Sequence, residues 1–219
     1  MSRCVARARG PTADVESSKE RIHAAALHLL ARYGYEGVSL QMIADEVGLH
    51  KSSLFHHYRG KLDLASEVFL ASMERVVALV EPLATDDPPR KETFFATIDA
   101  CLDHFADEPN AARLLLTLLV APEDSDLNIP IGRDDVSHPV IRLFTVLGSW
   151  LDRARSLGVT RPLSIRQGIP NLMGIVLMHP AVSAGLVGLT GREALGPRQR
   201  ALRKAEVHAL LESFFPPAS

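Results

Sequence analysis

Between Val47 and Lys61 the chain gathers hydrogen-bond donors and cations at close spacing: His50, Lys51, Ser52, Ser53, His56, His57, Arg59 and Lys61, with no Asp or Glu among them. Lys51, Arg59 and Lys61 give this stretch a formal charge of +3, whereas the whole chain of 219 residues carries -2. Cations facing a duplex release condensed counterions and supply sequence-independent affinity, while short donor-bearing side chains on an exposed helix reach base edges in the major groove. The chemistry favoured is nucleic-acid recognition. Arg3, Arg7 and Arg9 precede the first helix in a Gly- and Pro-containing segment, an arm suited to phosphate or minor-groove contact. Protonation of the histidines in mild acid would add positive charge to the same surface.

Other chemistries fit less well. His56 and His57 are adjacent and diverge on a helix, and no His-Glu-x-x-His spacing occurs, so no metal site is expected. The acids Glu123, Asp124, Asp126, Asp134 and Asp135, between Ala121 and His138, lack the alternating spacing and central Gly of a calcium loop and read as a solvated connection. Ala181-Val-Ser183-Ala-Gly185 looks like a nucleophile elbow with its first Gly replaced, and His208 lies further on. An elbow needs a strand before its Ser, and this Ser follows a helical pattern and Pro180. An esterase-like enzyme using Ser183, or a helical interaction module without DNA binding, are the competing functions. Catalytic residues and cofactors are otherwise not expected.

The elements that must position these residues are helices. Ile22, Ala26, Leu29 and Tyr33 recur at three- and four-residue spacing, as do Leu62, Phe69, Met73, Val76 and Val80, and later Val207, Leu210, Leu211 and Phe214. Sustained alternation of period two is absent, so the fold class is all-α. Ser17 with Glu20, and Ser164 with Gln167, have capping-box spacing; Asn110 can cap the run after it, and Pro139 suits a first helical turn. Ser39 caps a helix with the inner face Leu40, Ile43, Ala44 and Val47, and Gly48 supplies its left-handed end. A second short helix follows from about His50, with Leu54 and Tyr58 on one side. Two short helices around a Gly turn make a helix-turn-helix.

The run Arg21-Ile-His-Ala-Ala-Ala-Leu-His-Leu-Leu-Ala-Arg-Tyr-Gly-Tyr-Glu-Gly-Val-Ser, then Ile43-Ala-Asp-Glu-Val-Gly, then Ser53-Leu-Phe-His-His-Tyr-Arg-Gly-Lys61, resembles the TetR family of transcriptional repressors. The resemblance covers Ser17 to Val68 and implies a three-helix head on a larger helical body for ligand binding and dimerisation. The divisions then expected are an arm over 1–16, a helix-turn-helix domain over 17–62 and an effector-binding and dimerisation domain over 63–219. The recognition helix would run from about His50 to His57, and the DNA-facing set would be Ser39, Gln41, His50, Lys51, Ser52, Ser53, Phe55, His56, His57, Tyr58 and Lys61. Lys61, at the start of the fourth helix, is placed for a phosphate oxygen. The chain departs from the family at Phe55, commonly tyrosine, at Tyr58, usually Phe and more suited to packing in the head, and at Gly60, commonly a capping residue.

The resemblance further implies a homodimer on a palindromic operator, built through helices from about Ser164 to His179 and from about Pro197 to Phe215, with Gly168 and Gly174 permitting close approach. That would account for the run from Gln167 to Gly191, which lacks charged residues yet is broken by Pro170, Asn171, His179 and Pro180 and ends in a Gly-rich stretch better suited to a loop, so no membrane span is expected. Apolar faces of the central helices offer Phe95, Leu102, Phe105, Leu115, Leu118, Phe144, Leu147, Trp150, Met173 and Leu177 as cavity residues, with His104 or Arg113 as polar handles for a lipophilic effector. Cys4 and Cys101 make no disulfide framework, and the N-terminus builds no apolar leader, which together point to the cytoplasm.

Overall fold

The computed structural model describes residues 11–119, 138–162, 164–190 and 195–216, the side chains of 11–17, 118, 119, 184, 189 and 190 excepted. The basic arm at 1–10 and the acidic connection at 120–137 lie outside these residues. The described residues hold helices and no strand. They divide into two compact units, one ending at Val68 and the other beginning at Phe69.

The first unit contains α1 (Pro11–Tyr33), α2 (Leu40–Val47), α3 (Lys51–Phe55) and the start of α4 (Lys61–Val80). Helix α1 begins at Pro11, ahead of the Ser17 expected to cap it. Ile22, Ala26, Ile43, Ala44, Leu54 and Leu64 are at most 1% exposed and form the centre of this unit. Two residues of the expected stripes are not buried: Tyr33, at the end of α1, carries the Arg32 guanidinium 5.1 Å from its ring centroid, and Leu62 faces solvent. At Gly37 a Cβ would collide with the Tyr33 carbonyl oxygen, so only glycine allows the chain to fold back there.

The second unit contains the rest of α4, then α5 (Lys91–Asp107), α6 (Pro109–Leu119), α7 (Pro139–Ser156), α8 (Ile165–Thr190) and α9 (Pro197–Leu211), with 3-10 turns at Glu81–Leu83 and Glu212–Phe214. Asn110 sits in the first turn of α6 and not before it, because Pro109, lacking an N–H, opens the helix. Helix α7 starts as expected at Pro139, and the His138 Nδ1 caps it by accepting the Val140 N–H at 3.3 Å. The core includes Phe94 stacked on Trp150 at 5.2 Å between centroids. Leu210, expected inside, is exposed.

The largest departure from expectation is α8, which continues through Pro170 and Pro180 to Thr190, where a break and a loop were expected. An interior proline deprives a preceding carbonyl of its donor. At Pro180 the carbonyl concerned is that of Val176, and side chains donate to its neighbours: the Arg203 Nη2 to the Ile175 oxygen at 2.7 Å, the Arg113 Nε to the Ala181 oxygen at 2.7 Å, and the Ser183 Oγ to the Pro180 oxygen at 2.8 Å. Despite its length, no helix among the described residues is long and apolar enough to cross a membrane.

Candidate nucleic-acid interface and effector cavity

Helix α2 is set by its two ends. The Ser39 Oγ accepts the Met42 N–H at 3.2 Å, and Gly48, at φ 69° and ψ 32°, turns the chain in the left-handed region that glycine enters without a Cβ penalty. The Leu49 N–H then reaches the Ala44 oxygen at 2.9 Å, which fixes where α3 begins. The Arg21 Nη2 donates to the Val47 oxygen at 2.6 Å, tying α1 to the end of α2. Sequence reading assigned Arg21 no role.

Helix α3 is shorter than expected. Lys51–Phe55 is helical, and His56 and His57 follow in a turn closed by the Tyr58 N–H on the Leu54 oxygen at 2.8 Å. Leu54 and Tyr58 anchor it inward at 0% and 2% exposure, leaving His50, Lys51, Ser52, Phe55, His56 and His57 exposed and Ser53 half-buried. Tyr58 therefore leaves the DNA-facing set: its ring is in the core, and burial, reinforced by Glu67 and Asp63, pushes its phenol up to about 12. Phe55 is 52% exposed, with the Lys51 Nζ 5.8 Å from its ring centroid.

The remaining positions are partly committed within the protein. Ser39 is exposed, but its hydroxyl oxygen is the α2 cap. The Gln41 Nε2 donates to the Asp45 Oδ1 at 2.7 Å. The Lys61 Nζ donates to the Tyr35 oxygen at 2.9 Å and lies 3.9 Å from the Tyr35 ring centroid, so it braces the loop between α1 and α2 while remaining half-buried. Gly60 offers no side-chain cap to α4, and the chain entering the helix is held instead by the Asp63 Oδ2, which accepts the Arg59 N–H at 2.9 Å. The three-residue spacing from Gly60 to an acid was the available signal for it.

In the second unit a cleft enclosing about 650 Å³ of non-atom space, part of it open to solvent, lies among α4, α5, α6, α7 and α8. Phe105, Leu115, Leu147, Met173 and Leu177 line it, as expected. Among the described side chains, the other candidates do not. Phe95 packs on His208 and Phe215, at 4.4 and 5.6 Å between centroids, and Leu102 lines a different cleft. Trp150 is pinned elsewhere by its Nε1 donating to the Asp86 Oδ2 at 3.0 Å, Phe144 points to solvent at 39% exposure, and Leu118 lies outside the described side chains. The polar handles are corrected too, since Arg113 spends its Nε on Ala181 and His104 lies off the lining.

Unforeseen lining residues include Phe94, Ile98, Leu143 and Val176, with Thr97 and Cys101 as the polar ones. Burial pushes the Cys101 thiol up to about 12, which keeps it neutral. The lining thus offers no charge at neutral pH. Ser183, the alternative nucleophile, is buried within α8 with its hydroxyl on the Pro180 carbonyl, and no strand precedes it as an elbow requires. No group of three or more His, Cys, Asp or Glu side chains among the described residues is placed to hold a metal ion.

The family described as bacterial regulatory proteins, tetR family, matches residues 22–68, the segment that contains α2, α3 and the start of α4. The HTH-type transcriptional regulator YerO of Bacillus subtilis is 31% identical over 117 residues, 52% of this chain and 40% of that protein. The HTH-type transcriptional repressor SCO4008 of Streptomyces coelicolor is 31% identical over 102 residues, 47% of this chain and 50% of that protein. The chain thus spans half or less of the length of the curated relatives it matches. Among solved structures, a tetR-family regulatory protein of Rhodococcus RHA1 superposes with a TM-score of 0.68 at 18% identity, covering 92% of this chain and 98% of that one. The TetR-family regulator PfmR of Thermus thermophilus gives 0.63 at 22% identity, over 91% and 98%. The likeness of fold extends over both units in these structures, and the capped α2, the Gly48 turn and the outward face of α3 all lie inside residues 22–68, the segment in which this chain matches the tetR family of bacterial regulatory proteins.

Proposed function

We propose that this chain is a ligand-responsive transcriptional regulator, a repressor in its unliganded state, that binds a palindromic DNA operator as a homodimer. The observation that carries the reading is α3: Leu54 and Tyr58 bury one side, and the other presents Lys51, Ser52, His56 and His57 without a carboxylate between Val47 and Lys61. Such a surface suits a major groove, with Lys51 and Arg59 neutralising phosphates and Ser52 and Ser53 within reach of base edges. Two half-sites about 34 Å apart require two heads. A partner subunit is supported by the apolar residues that α8 and α9 leave exposed, Met178, Val182, Leu202 and Leu210, all at least 43% accessible.

The cavity favours an uncharged lipophilic effector, because its walls carry no charge to pair with an ion. Effector binding would favour a body conformation in which α4 moves the heads out of register with successive grooves, and a coupling of about 1–3 kcal/mol corresponds to a roughly five- to 150-fold loss of operator affinity. This work is assigned to the cytoplasm. Selection of bound sequences from a random duplex pool tests the proposal: an inverted repeat is expected, and a pool that stays random after repeated rounds at low salt would reject it.

A further inference from the structure

A second cleft, of about 330 Å³ including space open to solvent, lies among α5, α8 and α9. Leu102, Ala106, Pro180 and Leu195 form its apolar walls, and its polar groups include three cations, Arg200, Arg203 and Lys204. Two of these are matched. The Lys204 Nζ donates to the Asp103 Oδ2 at 2.6 Å, and Arg200 pairs with Asp107 while its remaining N–H groups reach the Leu195 and Ala106 carbonyls. Arg203 is different. Its Nη2 holds the Ile175 carbonyl, no carboxylate among the described residues lies within ion-pairing distance, and its Nε is fully buried with no hydrogen-bond partner.

Arg203 is half-buried, but a guanidinium whose Nε is shielded from water and lacks an acceptor is a site for an anion, and its planar fork matches a carboxylate. Burial already disfavours the charge on Arg203, with Glu206 only partly offsetting it. His179, beside it in the cleft, is held below the usual imidazole range by burial and by Arg203 itself, so at neutral pH it contributes a hydrogen bond and no second charge. One unmatched cation calls for one negative charge, which favours a monocarboxylate over a phosphate dianion. The short apolar walls favour a small hydrocarbon substituent.

We propose that this cleft binds a small organic monocarboxylate, its carboxylate on the Arg203 guanidinium and its apolar substituent against Leu102, Ala106 and Pro180. The site is separate from the uncharged cavity and does not depend on DNA binding. Because Arg203 also holds the Ile175 carbonyl ahead of Pro180, occupancy would steady α8 in that region.

The test is calorimetry on the full chain at constant ionic strength, with butyrate, butyramide and inorganic phosphate as probes. Saturable butyrate binding is expected, with butyramide and phosphate each at least about tenfold weaker. Arg203→Gln should weaken butyrate by a similar factor. Since that change also frees the Ile175 carbonyl, Ala106→Phe serves as a second variant that obstructs the cleft with Arg203 intact, and it too should weaken butyrate at least about tenfold. Equal affinity for butyramide or phosphate, no saturable butyrate binding, or full affinity retained in Ala106→Phe would each overturn the proposal.

Discussion

Lys61 carries two loads that a pair of substitutions separates. Its ammonium donates to the Tyr35 carbonyl at 2.9 Å and sits 3.9 Å from the Tyr35 ring centroid, and it opens α4 beside the helix N-terminus. A hydrogen bond from a charged group contributes about 1.5–3 kcal/mol net, and a solvent-accessible cation over an aromatic ring adds about 0.5–1. The side chain is half-buried, so the lower ends apply and Lys61→Met should cost about 2 kcal/mol of stability in urea denaturation. If the same ammonium also meets a phosphate, the slope of log affinity against log salt should become shallower by about 0.9, with the loss uniform across sequences. Lys61→Arg keeps the charge and should restore the slope even if it does not fully restore stability. Fluorescence anisotropy on a labelled duplex over a salt series reads the slope, at temperatures where both variants remain folded. A Lys61→Met slope equal to wild type, with the stability loss present, would make Lys61 a brace for the Tyr35 loop and remove it from the interface.

Three further outcomes follow from the geometry. Burial would raise the Asp86 carboxyl, but donors from Trp150, the Arg90 backbone and guanidinium, and Thr93 outweigh it and hold the group at about 2. A depressed carboxylate stabilises the fold above its ordinary titration range and loses that contribution as pH falls through the folded value, so wild type should lose about 2 kcal/mol between pH 4 and 2. Asp86→Asn should already lack it at pH 7, measured by thermal unfolding across that range. Val176→Phe should fill part of the apolar cavity, abolish binding of a neutral hydrophobic dye and cost about 1–3 kcal/mol, while operator affinity persists. His138→Ala should cost about 1 kcal/mol by removing the acceptor at the start of α7, and His138→Asp, a better cap, should recover it in the same denaturation assay.

What was legible in the sequence was local. Ser39 and Gly48 specify the ends of α2 by side-chain and backbone chemistry that needs no tertiary partner, and the four-residue spacing of Leu54 and Tyr58 specifies which side of α3 turns inward. The cavity was legible only in part because adjacent apolar residues of one helix face different neighbours. Phe94 lines the cavity, while Phe95 turns to His208 and Phe215, and spacing alone cannot assign them. Pro180 misled because its cost is local while the contacts that hold α8 around it are remote, including side-chain donors to neighbouring carbonyls from Arg113 on α6 and Arg203 on α9. Arg113 likewise looked free to meet a ligand because its acceptor is far away in sequence.

The central claim is that the outward face of α3 reads DNA twice, once from each of two subunits. Hydroxyl-radical footprinting on a selected duplex measures this most directly. The account requires two protected patches on one face of the duplex about 34 Å apart, both lost in Lys51→Ala/Ser52→Ala. A single protected patch, or a footprint unchanged by that double substitution, would contradict it.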